Sequence, residues 1–280
     1  MPGENAQQEV ELKLDLPAES VKRVLRHPSV ERLAEGPVDV RRLRSVYFDT
    51  VDRALRQAGL SLRIREIGAQ RIQTVKAGER AHGGLFQRWE DEVELDSDTP
   101  ETQAVSDATL RGTLQRALSG RTLRPLFETD MQRSQRNLRD GSDAWSLDLD
   151  VGEVRAGDRS ERLCEVEFER VAGRAARLYE AALALLDDVE LTVGLVSKAA
   201  RGYALAEGKR ARQPVPEALE RMREALAAAP PARREPLEQE LLALEEECAA
   251  ARSDADLQRL HRSRRFARSA LELGRIAAGG

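Results

Sequence analysis

Aromatic residues make up only 4% of this chain of 280 residues, and histidine occurs three times. With so few rings, aliphatic side chains must do most of the packing. His27, His82 and His261 are too scattered to argue for a zinc site. His27 is expected on the surface at a helix end and His82 in a glycine turn. The two cysteines, Cys164 and Cys248, form no CxxC pair and no metal-ligand spacing, so two free thiols in a reducing compartment are expected. No apolar run approaches the length of a membrane span, and the polar, acidic N-terminus lacks the apolar segment of a signal peptide. Basic excess is missing too: 45 basic and 49 acidic residues leave a net charge of -4, which gives nucleic-acid binding no support. The expectation is a soluble cytoplasmic protein that binds neither nucleic acid nor membrane, as a monomer or homodimer.

Charge itself is abundant. Charged residues are 34% of the chain and hydrophobic ones 41%, enough for a core. The chain reads as two parts. Up to about Glu207, short alternating segments mix with helices; beyond about Pro214 the pattern is almost purely helical, rich in Ala, Glu, Leu and Arg. Between them "GKRARQPVP" (residues 208–216) has the composition of a linker. The expected units are therefore residues 1–207 and a helical region over 217–280. Alternation predicts strands near Gln8–Asp15, Arg42–Asp49, Leu60–Glu66, Arg71–Ala77, Phe86–Leu95, Leu126–Leu138, Ala144–Val154 and Glu161–Arg170. Helical spacing predicts Ala18–Arg26, Thr102–Leu118, Ala172–Val189 and Ser197–Ala206.

Side chains along a strand point alternately to opposite sides. In "QEVELKL", Glu9, Glu11 and Lys13 share one face and Val10, Leu12 and Leu14 the other. The pattern recurs: Arg63 and Arg65 in "SLRIRE", Arg88, Glu90, Glu92 and Glu94 in "QRWEDEVEL", Asp148 and Asp150 in "WSLDLDV", and Glu165, Glu167 and Glu169 in "LCEVEFER". One such strand is an ordinary wet sheet face. Across so many, carboxylates and arginines stand where Thr, Ser and Gln are usual, and a barrel with a polar interior becomes the sharper reading. Its apolar faces would point outward under helices. Clustered acids suit a hard divalent cation, and Arg and Lys suit phosphate oxygens, so a metal-bound polyphosphate matches both.

These residues resemble the CYTH domain, or triphosphate tunnel metalloenzyme, family. "EVELK" (Glu9 to Lys13) is similar to its ExExK signature. "YFDT" (Tyr47–Thr50), "GLSLRIRE" (Gly59–Glu66), "QTVKAG" (Gln73–Gly78), the RxExE of Arg88, Glu90 and Glu92, and "EVEFE" (Glu165–Glu169) follow in the family order. "LVSKAARGYALA" (Leu195–Ala206) is especially close to the bacterial inorganic triphosphatase branch. The resemblance implies an α+β fold, an eight-stranded antiparallel β-barrel forming a tunnel with surrounding helices. It implies metal-dependent hydrolysis of inorganic triphosphate with Mg²⁺ or Mn²⁺. It carries Glu9, Glu11 and Lys76 over as the catalytic set, with Glu9, Glu11, Glu165 and Glu167 as metal ligands. Lys13, Arg63, Arg65, Lys76, Arg88, Arg133, Lys198 and Arg201 carry over as substrate-binding residues. Arg201, one helical turn from Lys198, is expected to face the tunnel with it. Thiamine triphosphate, nucleoside triphosphates, a class IV adenylate cyclase reaction and non-catalytic polyphosphate or nucleotide binding stay open as alternatives.

Residues 217–280 read as about three helices, broken near "APPARREP" and "ARSDAD". "LHRSRRFARSALEL" (Leu260–Leu273) is loosely similar to the start of a CHAD domain, a helical module that some members of this branch carry after the CYTH domain. The region is too short for a whole one, and a helical packing element is the preferred reading.

Overall fold

The computed structural model describes residues 7–279. Residues 1–6, within the first expected unit, and Gly280 lie outside the described residues. The chain starts with β1 (Gln7–Asp15), two short helices, α1 (Val21–Leu25) and α2 (Pro28–Leu33), and the long β2 (Ala34–Asp49). A one-turn α3 (Ala54–Gln57) leads to β3 (Leu60–Ile67), β4 (Gln70–His82), β5 (Leu85–Glu94) and α4 (Ala108–Leu118). Next come β6 (Arg124–Asp140), β7 (Asp143–Ala156), β8 (Arg159–Ala172), α5 (Ala176–Leu186), the two-residue β9 (Thr192–Val193) and α6 (Lys198–Ala206). The last four helices are α7 (Val215–Ala227), α8 (Pro231–Ala250), α9 (Asp254–His261) and α10 (Arg264–Ala277).

Neighbouring strands run β5-β4-β3-β2-β6-β7-β8-β1, and β1 pairs back onto β5. Every pairing is antiparallel, so eight strands close into a barrel. The expected α+β barrel is the observed fold. β1 carries β8 along one edge; along the other, β5 pairs with Gln7–Leu12 and β9 continues at Leu14 and Asp15. That arrangement satisfies the backbone of the strand with the densest charge.

Most of the apolar core lies outside the barrel. Val10, Leu12 and Leu14 are at most 1% exposed and pack in one cluster with Leu178, Leu185 and Leu186 of α5. Over β3 and β4, Leu62, Ile64 and Val75 meet Leu110, Leu114 and Leu118 of α4. A third cluster lies on the inward faces, where α6 covers the tunnel's end: Tyr47, which also lines the interior, and its cross-strand neighbour Phe127 meet Tyr203 and Leu205 of α6. Gly202 lies flush on that contact, for a methyl there would stand 2.1 Å from the Phe127 ring. The C-terminal helices share the first cluster through Leu219 and Met222 of α7 and Phe266, Ala270 and Leu273 of α10.

Several elements differ from expectation for local reasons. β8 runs to Ala172, so the helix expected from there begins at Ala176. Between them Gly173 turns at φ 83°, with Asp143 2.0 Å from where a Cβ would lie. The basic linker ends sooner, since α7 starts at Val215, after Pro214. Ser263 caps α10 by accepting from the Phe266 amide, which divides the final helical stretch in two and gives four helices there instead of three. His27 is not a surface residue. It is buried, caps α2 by accepting from the Ser29 amide, and reaches Asp188 at 3.1 Å.

Candidate active site

The odd-numbered residues of β1 face the barrel interior, where a cavity of about 130 Å³ opens. Seven cations line it: Lys13, Arg63, Arg65, Lys76, Arg88, Arg133 and Lys198. Six carboxylates join them, from Glu9, Glu11, Glu90, Glu92, Glu167 and Glu169, with Tyr47, Ser61, Thr74 and Ser197 between. Strand parity alone brings most of these side chains inward. Lys198 comes from a helix: Ser197 accepts from the Ala200 amide and caps α6, which sets Lys198 at the first turn, 6% exposed.

Three groups of charges share the interior. On β1, β4 and β5, Glu9 accepts from Lys76 Nζ at 2.6 Å and from Arg88 Nε at 2.9 Å, and Arg88 also donates to Glu11 and Glu79. Burial works against charge here, but at Glu9 the attraction of Lys76 and Arg88 outweighs it and holds the carboxyl below its ordinary range. At Arg88, Glu11 and Glu9 likewise outweigh burial and hold the guanidinium well above its own.

The second group forms the cavity floor. Lys13 Nζ reaches Glu165 at 3.0 Å and also contacts Glu167; Lys198 Nζ meets Asp150 at 2.9 Å and Glu167 at 2.8 Å. Arg133 bridges Asp150 at 2.7 Å and Glu167 at 3.0 Å, and pairs with Asp148. Carboxylate oxygens of Asp150, Glu165 and Glu167 lie within 4.8 Å of one another. Three cations already interleave with them, and such a buried network is worth most when each member is satisfied. Glu167 accordingly sits well below the usual carboxylate range, with Lys13, Lys198 and Arg133 overcoming burial. Burial dominates at Glu165 and raises it, and its Oε2 has no hydrogen-bond partner among the described residues.

The third group is loosely paired. Arg63, 8% exposed, meets Glu90 and Glu92 at 3.8 and 3.9 Å and the Tyr47 hydroxyl at 3.4 Å; burial works against its charge, but these three outweigh it and hold the guanidinium above its ordinary value, while its Nε has no hydrogen-bond partner among the described residues. Arg65 has no carboxylate within 4.0 Å among the described residues, only Ser45 Oγ at 3.4 Å. Burial, together with Arg63 and Arg133 nearby, lowers its guanidinium to about 10. Glu169 shows the reverse. It has no cation partner among the described residues, and burial with Glu9 and Asp148 pushes its carboxyl up to about 8. β3, which carries the two arginines, and β8, which carries Glu169, are four strands apart in the ring of eight and so occupy facing walls. The tunnel is two-sided: loosely held guanidinium groups stand on one wall, and the other carries a carboxyl that keeps its proton near neutral pH until a cation meets it.

The structure brings Glu9, Glu11, Lys13, Arg63, Arg65, Lys76, Arg88, Arg133, Glu167 and Lys198 to the cavity. It does not gather the four carboxylates expected to share a metal. Register sets Glu11 opposite Glu169, Lys13 opposite Glu167 and Asp15 opposite Glu165, so Glu165 lies in the floor behind the lining. Arg201 also points elsewhere, bonding Asp15 at 3.0 Å and Glu161 at 3.0 Å. Three residues along a helix is 300° of turn, and the remaining 60° carries Arg201 off the Lys198 face. Tyr47, Thr74 and Ser197 went unmarked because they are neutral. Glu169 has the parity of Glu165 and Glu167, which was its one signal in sequence.

The donor chemistry fits a divalent cation. At Glu169, beside Glu9 and Glu11, burial and then like charge outweigh the opposing Lys76 and raise the carboxyl, and a hard cation on these oxygens would relieve it. A second chamber of about 180 Å³ adjoins the cavity, sharing Ser61, Lys76, Arg88, Ser197 and Ala199, with Leu60, Ala77, Arg56 and Tyr203 in its walls.

The sequence profile of the CYTH domain matches residues 7–203. Over 165 residues the chain is 29% identical to an inorganic triphosphatase of Haemophilus influenzae, a match covering 58% of this chain and 46% of that protein. The chain thus spans less than half the length of that curated relative. Among solved structures, a Hippeastrum protein assigned as an adenylyl cyclase, with a dominant triphosphatase activity, is 20% identical with a TM-score of 0.49, over 72% of this chain and 96% of that one. A Pyrococcus horikoshii protein is 18% identical with a TM-score of 0.38, over 64% and 86% of the two chains.

Proposed function

Because the chain belongs to the CYTH domain family, we propose that its tunnel hydrolyses inorganic triphosphate to pyrophosphate and orthophosphate with the aid of Mg²⁺ or Mn²⁺. The observation that carries this reading is the opposition of loosely held arginines on β3 to Glu169 on β8, a carboxyl with no cation partner among the described residues. A triphosphate chelated by a cation suits both walls, since its oxygens would face the guanidinium groups and its cation would favour the ionised form of Glu169. Phosphoryl transfer asks for positioning and charge neutralisation more than for covalent chemistry. Arg63 and Arg65 offer guanidinium forks to phosphate oxygens without first leaving a close carboxylate. Lys76 and Arg88 can exchange Glu9 for phosphate, which frees Glu9 and Glu11. Lys13, Lys198 and Arg133 hold Glu167 and the floor rigid beneath the substrate. Glu9, Glu11 and Glu169, with Glu167 at the edge, would hold the cation, which supplies charge neutralisation and an activated water when bound.

The inorganic substrate is supported by the name of the Haemophilus relative and by the cavity, whose roughly 130 Å³ is small beside the ~300–1,000 Å³ of sites for drug-sized ligands. The adjoining chamber favours a second reading, an organic triphosphate whose substituent lies against Leu60, Ala77 and Tyr203.

One assay separates these. Phosphate release is followed from inorganic triphosphate, thiamine triphosphate, ATP and longer polyphosphate, each with Mg²⁺, Mn²⁺ or chelator. Inorganic triphosphate is expected to be turned over fastest, and only with metal. Glu9→Gln and Glu11→Gln, folded by circular dichroism, are each expected to lose activity by about 100-fold or more. Full activity in both would remove the metal assignment, and no hydrolysis under any condition would leave a non-catalytic polyphosphate binder.

A further inference from the structure

The helices beyond the matched region lean on the tunnel at two points, both beside Lys13. His261, at the end of α9, is 3% exposed, and its Nε2 lies 2.7 Å from the Val193 carbonyl. A carbonyl only accepts, so that nitrogen carries the proton and donates. Val193 belongs to β9 and pairs with Leu14 of β1. The next residue, Gly194, donates its amide to the Lys13 carbonyl at 2.9 Å. Its bare backbone also forms the bed of the Lys13 side chain, for a Cβ there would lie 2.5 Å from Lys13 Cγ and 2.9 Å from Cδ. Four residues further on is Lys198. On the other side, the Lys13 amide donates to the Gly84 carbonyl at 2.9 Å. Gly83, beside it, lies against α10, where a Cβ would come within 3.1 Å of the Ala270 carbonyl. Tyr179, against which Gly274 of α10 is packed, donates to the His82 carbonyl at 3.1 Å.

We infer that His261 is a positioning residue: its hydrogen bond to Val193 holds the segment from Val193 to Lys198 against β1, and so fixes where Lys13 and Lys198 stand in the tunnel. α9 and α10 thereby act on substrate binding without touching substrate. The effect on kinetics rests on the triphosphatase reading; the effect on the Gly194 amide does not.

The test compares His261→Ala, His261→Gln and Leu244→Ala. Leu244 is fully buried on α8, which packs on α7, α9 and α10, and its truncation loosens the same outer core away from β9. In His261→Ala the Val193 carbonyl loses its donor, and KM for inorganic triphosphate is expected to rise about tenfold with kcat within about threefold. Hydrogen exchange at the Gly194 amide is expected to accelerate. His261→Gln, which keeps an N–H donor, restores both in large part. Should His261→Ala not fold, His261→Leu, which fills the volume without a donor, is read by the same criteria. An unchanged KM, or an equal rise in Leu244→Ala, overturns the inference. If the wild-type protein neither binds nor hydrolyses triphosphate, the proposed function fails and Gly194 exchange decides alone. Acceleration in the donor-less His261 variant only supports the positioning role; acceleration in both variants, or in neither, overturns it.

Discussion

At Glu169, burial and the carboxylates of Glu9, Asp148 and Glu11 act in the same direction, and only Lys76 opposes them. An exposed Glu titrates near 4.3, whereas here the carboxyl holds its proton up to about 8. The folded state therefore binds this proton more tightly than the unfolded chain does. The associated stability is fully present below about pH 4.3 and is lost as pH rises through about 8. Glu169→Gln is expected to melt like wild type near pH 4 and to be more stable near pH 9, in chelator, by up to about 5 kcal/mol. A variant less stable than wild type at the higher pH would contradict this account. Period-two alternation made the inward set Glu9, Glu11, Lys13, Arg63, Arg65 and Arg88 legible in sequence, since direction is a local property of a strand. Which carboxylate meets which was not legible. The contacts of Lys13 with Glu165 and Glu167 join residues 152 and 154 apart, and the β1–β8 register that pairs Glu11 with Glu169 leaves no mark in either strand alone. His27 misled for a similar reason, because its neighbour Asp188 is supplied from a distant turn.

α6 shows what an element adds to its residues. Its start was readable from Ser197, and its inner face carries Lys198, Gly202 and Tyr203 onto the barrel. Tyr203 meets the Phe127 ring edge-on at 5.3 Å, while Phe127 stacks on Tyr47 at 4.5 Å. Gly202 permits that approach, so Gly202→Ala must push α6 away from the wall. Such overpacking is expected to cost about 1–3 kcal/mol in thermal or denaturant unfolding and, by moving Lys198, to raise KM for triphosphate. Unaltered stability would mean that α6 yields without strain. The long alternating strands were found near their true positions, whereas α3, at four residues, and β9, at two, are too short to display any period. β2 begins eight residues before its expected start at Arg42, at Ala34, because Gly36 and Pro37 interrupt the pattern that its pairing with β6 continues around.

For the whole molecule, the readable clue was the abundance of charge on one face of so many strands, which only a polar interior explains. The enclosing helices, including α7 and α10, follow from the need to cover the apolar faces left outside. How the last helices dock was not readable, since their apolar stripes specify a buried face but no particular partner. The interleaving of fixed acids and bases has one more consequence. An exposed basic surface that binds a polyanion releases mobile ions to bulk solution, and its affinity falls steeply as salt is added. On the proposed reading, the anions a polyphosphate would displace from Lys76 and Arg88 are Glu9, Glu11, Glu79 and Glu90, tethered to the same chain and unable to diffuse away. The tunnel is a solid ion exchanger, in which bulk salt does not compete for buried partners as it would at a surface. Affinity for triphosphate at fixed free metal is expected to change by less than about threefold between roughly 50 and 200 mM potassium chloride, measured by titration calorimetry. A steep decline would mean that the resident carboxylates are not what the substrate replaces.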